Sequence, residues 1–130
     1  MSDRIKPLLG ALVAGYIVNL VVVTYVYLPV AAEDIRMGAG GEALMPGWLA
    51  LGIFSVIVIL FFAWVNQSLR KPIRSAMIIA CSQILIVDVY YVFIGSREIM
   101  TAGVSAVVLL AGYCTIGVVY GKLSDGQGTE

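Results

Sequence analysis

The chain has 130 residues, 61% of them hydrophobic and 12% charged, with a net charge of zero and a mean hydropathy of +0.99. Soluble domains run nearer about 45–50% apolar and about 25% charged, so a water-soluble globule is excluded. The balanced charge argues against a nucleic-acid partner, and the absence of histidine removes the commonest haem and zinc ligand and the commonest proton shuttle.

Residues 7–28 form the first apolar run long enough to cross a hydrocarbon core of about 30 Å. Arg4 and Lys6 precede it, and "VAA" before Glu33 imitates a cleavage site. A signal peptide's apolar core is about 7–15 residues, shorter than this run, which is therefore read as a retained first span ending at Pro29. Ala11, Gly15 and Asn19 recur every four residues and so share one helix face. Small residues at this spacing let helices approach closely, and an amide can hydrogen-bond across the contact.

Residues 29–47, "PVAAEDIRMGAGGEALMPG", make the one long connection. "GAGG" lacks the following G-K-[ST] of a phosphate loop, and "AAEDIRM" has the makings of one interfacial helical turn. The segment is expected to be an outer cap, with a partner-binding or lid loop as the other reading. The second span covers 48–66 and carries Ser55; the short "QSLRKP" follows, with Pro72 suited to the first turn of the next helix.

The third span, 73–94, contains Cys81, Gln83 and Asp88. On α-helical geometry Cys81, Ile84, Asp88 and Tyr91 share a face, whereas Gln83 points away with Val87 and Tyr90. After the turn "GSRE", with Ser96 as candidate N-cap, the fourth span covers 99–120 and carries Ser105, Cys114 and Gly117-x-x-x-Gly121. The two cysteines form no C-x-x-C and are expected to pack as small apolar groups. Residues 122–130 are expected to be a disordered tail.

Six Lys or Arg (Arg4, Lys6, Arg70, Lys71, Arg74 and Lys122) fall on one side of these spans, and Arg36 and Arg97 on the other. Both termini are thereby expected in the cytoplasm of a bacterial inner-membrane protein. Tyr25, Tyr27 and Trp48 would mark the outer interface, and Trp64 and Tyr120 the inner one. Short connections make sequence neighbours adjacent. The expected fold is an all-α membrane protein, one domain over residues 1–130, with four transmembrane helices in an up-down-up-down bundle.

Asp88 is the one acidic residue inside a span, and the one basic residue, Arg74, stands at the very start of the third. A carboxylate at the centre of a membrane helix costs roughly 2.5–3.5 kcal/mol on insertion scales, so it needs compensation. Its depth, roughly 9 Å from the outer edge of the span, matches that of Thr24, Tyr25, Ser55 and Ser105. Asn19 and Gln83 define a second polar layer near the bilayer centre. Asp88 can be a strut accepting from those hydroxyls, a proton or cation site, or a catalytic acid; the last lacks a second ionisable group at its depth.

The stretches "SAMIIACSQILIVDVYYVFIG" and "AGYCTIGVVYGKL" resemble small four-span bacterial membrane proteins classed as domains of unknown function, a resemblance that implies the fold alone. Small multidrug transporters share the length, but their first span carries a glutamate where this chain has only Asn19. The four-helix glutathione and eicosanoid enzymes carry arginines within their spans, which are absent here. The expected role is a structural or accessory membrane subunit acting through helix–helix association, not an enzyme and without a cofactor or metal. It would sit in lipid as a homo-oligomer or within a larger assembly. The alternative is a proton- or cation-coupled small transporter working as a homo-oligomer, with Asp88 as coupling group.

Overall fold

The computed structural model describes residues 2–31, 44–95 and 97–125. They form four helices, each long and apolar enough to cross a membrane: α1 (Asp3–Ala31), α2 (Gly47–Leu69), α3 (Pro72–Phe93) and α4 (Ile99–Asp125). The expected interfacial turn, the Gly38–Gly41 stretch and the Ser96 cap lie outside the described residues.

Three boundaries differ from the sequence expectation, each for a local reason. The first helix begins at Asp3 instead of residue 7, taking Pro7 inside. The N–H that proline lacks would have met the carbonyl of Asp3, so the loss is confined to the first turns. At its other end α1 runs past Pro29 to Ala31. Proline clashes with the carbonyl four residues back, here Tyr25, and that residue lies in a π-helical turn, Val23–Tyr27. The wider turn, bonded i→i−5, makes room for the ring where a regular α-helix would kink or stop. The last helix extends to Asp125, so residues 122–125 are helical, not tail.

The connection between α2 and α3 is reduced to Arg70 and Lys71. Arg70 closes α2 with a left-handed backbone (φ 52°), its N–H 2.8 Å from the carbonyl of Asn66. Lys71 is extended, and Pro72 opens α3 at the first helical position as expected. Asn66 also holds this turn through its side chain, since the Ser75 hydroxyl lies 3.1 Å from its Oδ1 and 3.0 Å from the Lys71 carbonyl. Both side chains are buried.

Helix α4 packs along α1 on one flank and α3 on the other, while α2 packs on α1 and α3. The close contacts are made by glycines. A Cβ on Gly15 would strike Ile116, one on Gly10 would strike Leu123, and one on Gly112 would strike the Asn19 amide. Residue numbers rise along α1 as they fall along α4, so these two helices run antiparallel. Gly117 lies equally close to the Ile73 Cα and the Pro72 carbonyl, each 3.1 Å from where its Cβ would be. Without a hydrophobic force between helices in lipid, such backbone approach is what dispersion needs. The core combines Ala11, Val58, Ile59, Phe62, Ala76, Ile79, Ala80, Tyr113 and Ile116. Tyr120 seals it edge-on against Phe62, with ring centroids 5.3 Å apart. That contact gives Tyr120 a packing role where the sequence suggested an interface anchor.

Candidate functional site

Helix α3 departs from α-geometry at Ile84–Val89, a second π-helical turn, and Asp88 lies within it. Upstream, the buried stripe is Ala76, Ile79 and Ala80, followed by half-buried Gln83. Regular helix would next bury Val87. The extra residue of the π turn moves the stripe on by one: Val87 is 39% exposed and Asp88 only 2%. The sequence-based face therefore breaks up, since Cys81 and Tyr91 are exposed while Asp88 is buried. Five residues of α-helix separate Gln83 and Asp88 by about 140°, but a π turn returns the i+5 residue toward the same side.

Arg97 Nη1 donates to Asp88 Oδ1, forming a salt bridge across the α3–α4 turn. The turn is made by Gly95 at φ 73°, whose N–H lies 3.1 Å from the Val92 carbonyl. Glycine takes this left-handed backbone without a Cβ penalty. The guanidinium also lies over the Tyr91 ring, 5.4 Å from its centroid, so it is held by a carboxylate and an aromatic face together. Its side chain keeps 21% of its surface exposed. Asp88 Oδ2 is buried with no hydrogen-bond partner among the described residues.

The expected hydroxyl layer does not assemble around Asp88. Thr24 and Tyr25 are exposed, Tyr25 to 75%. Ser55 is buried, but its hydroxyl bonds its own helix at the Leu51 carbonyl, 2.8 Å away. Ser105 is half-buried and forms no bond with Asp88. An exposed Thr24 or Tyr25 has lipid or the interface before it, and a serine within a helix readily satisfies itself on the carbonyl four residues back. Arg97 was legible only as a basic residue of the outer turn. The signal for its role is a buried acid near the end of α3, with a long cationic side chain just beyond a glycine turn.

Asn19 and Gln83, expected in a deeper polar layer, lie against successive residues of α4, and no hydrogen bond between them is formed among the described residues. The Asn19 amide abuts Gly112 from α1. The next residue, Tyr113, has its hydroxyl buried on the α3 side, where the Gln83 side chain approaches it without meeting hydrogen-bond geometry. Beside Asn19 lies a small, mostly apolar cavity of about 60 Å³, lined also by Leu51, Phe54, Val108 and Ile116. Cys81 and Cys114 are both exposed and not packed in the core; Cys114 Sγ lies 3.5 Å from Met77 Sδ.

Four apolar spans, with a partly buried ion pair at the α3–α4 turn, define a membrane-embedded, all-α protein. No family model matches this chain, and comparison with curated proteins and with solved structures gives no match.

Proposed function

We propose that the protein is a small structural or accessory subunit of the bacterial inner membrane. It folds as an up-down-up-down bundle with both termini cytoplasmic and acts through helix–helix association, within a homo-oligomer or a larger assembly, without enzymatic activity. The observation that carries this reading is the engagement of Asp88 by Arg97. The one intramembrane carboxylate is committed to holding α3 and α4 at their shared turn. It lines neither the small cavity beside Asn19 nor the larger cleft at the opposite end of the bundle. The orientation rests on six basic residues, all exposed, at the end that carries both chain termini.

The spans also retain ample surface for association. At most 33% of any span's apolar window is buried within the chain. In α2, the exposed side chains Trp48, Ile57, Leu60 and Trp64 face outward, available to lipid or to other helices.

A second reading, proton- or cation-coupled transport with Asp88 as the coupling group, is favoured by one observation, the unpartnered Oδ2. A buried carboxylate oxygen without a donor is a natural place for a proton. The test is native mass spectrometry after extraction in mild detergent, paired with proton flux in proteoliposomes. A defined complex with no flux supports the subunit; a homo-oligomer without other partners, whose flux disappears in Asp88→Asn, supports the transporter.

A further inference from the structure

The cleft opposite Asp88 occupies about 750 Å³ between the ends of the helices. The start of α1, the end of α2, the first residue of α3 and the end of α4 all line it. Two guanidiniums, Arg4 and Arg70, stand at this cleft, both exposed. Below them lie the buried Asn66 and an apolar wall that includes Leu8 and Tyr120. Two acids, Asp3 and Asp125, share the lining. Among the described residues at this end of the bundle, they are outnumbered by Arg4, Lys6, Arg70, Lys71, Arg74 and Lys122.

Arg70 adds a second, independent observation. It occupies the left-handed position that ends α2, where glycine fits with less strain. Its side chain is thus not required by the turn, yet it projects a cation at the mouth of the cleft.

We propose that this cleft binds a phosphate-bearing anion, the headgroup of an anionic phospholipid, with Arg4 and Arg70 as its phosphate contacts. Planar guanidiniums match phosphate oxygens through paired hydrogen bonds. The apolar wall accommodates the glycerol and the first methylenes of the chains, which a free anion would leave unused. This inference is independent of the role of Asp88, which lies at the other end.

The test uses the full chain in mild detergent, supplied with equal phosphatidylglycerol and phosphatidylcholine, and counts retained lipid by native mass spectrometry. Wild type is expected to retain phosphatidylglycerol preferentially. Arg4→Gln and Arg70→Gly should each weaken that preference, about fivefold per cation at a membrane surface. Arg70→Gly suits the left-handed position, so its melting temperature should not fall, which separates lost binding from lost folding. Displacement of the lipid by millimolar inorganic phosphate assigns the site to the phosphate group itself; resistance assigns it to the whole headgroup. Equal retention of the two lipids by wild type, or an undiminished preference in the double variant, overturns the proposal.

Discussion

Asp88 is bonded to Arg97, a residue nine positions later that lies outside the membrane-spanning helices. The pair bridges the α3–α4 turn from beneath, and Tyr91 supports the guanidinium from the side. A buried acid has thus found its counter-ion in the nearest turn and not among the helices around it. That choice ties the facing ends of α3 and α4 together at their turn, and it lowers the cost of a carboxylate in the hydrocarbon region.

The contact of Asn19 with Gly112 gives a size-compensation test. Gly112→Ala should destabilise the protein by about 1–3 kcal/mol, because its Cβ meets the amide. Combining it with Asn19→Ala should recover part of that loss. Thermal melting in detergent measures both. Equal melting of the single and double variants would remove Asn19 from this contact.

At Gly117 the neighbours are the Ala76 Cβ and backbone atoms of Pro72 and Ile73, none of which can rotate aside as an amide can. Gly117→Val should therefore separate α3 from α4 and lower the melting temperature more than Gly112→Ala does. Gly103→Ala, at a position with nothing within 4 Å, should be neutral or slightly stabilising. A Gly117→Val protein that melts like wild type would mean that the two helices are not so closely packed.

Reporter fusions test orientation. A reporter after Glu130 and one inserted at Gly38–Gly41 should report opposite compartments, with the C-terminal one cytoplasmic. The same compartment for both would contradict the arrangement of spans.

The spans were legible because twenty-odd apolar residues in a row have few other uses. The glycine faces were equally legible, since Gly15, Asn19 and Gly117 follow α-helical spacing that the structure keeps. What was not legible follows from the two π turns. Period arithmetic assumes 3.6 residues per turn, so one added residue reassigns the faces beyond Ile84, and Asp88 is buried where Val87 and Tyr91 are exposed. Pro29 was taken as a stop because its clash with a carbonyl is usually decisive; the π turn at Val23–Tyr27 removes that clash. The Asp88 site was half legible. Its depth and its need for a partner are plain in the sequence, but Arg97 reads there only as a basic residue of a turn, a place where charge is ordinarily solvated. The Asn66–Ser75 bond escaped notice since both residues fall at span ends, where polar groups need no explanation.

The most direct test of a structural Asp88 is a double-mutant cycle on its ion pair, read as unfolding free energy in detergent. Arg97→Gln should cost about 1–3 kcal/mol, because it strips a buried carboxylate of its counter-ion. Asp88→Asn should cost less, since the amide oxygen still accepts from Arg97, and Asp88→Leu should cost more than Asp88→Asn. Asp88→Leu with Arg97→Gln should then be less damaging than the sum of the two singles. Strictly additive losses, or an Asp88→Leu protein as stable as wild type, would contradict the claim that this pair holds the hairpin.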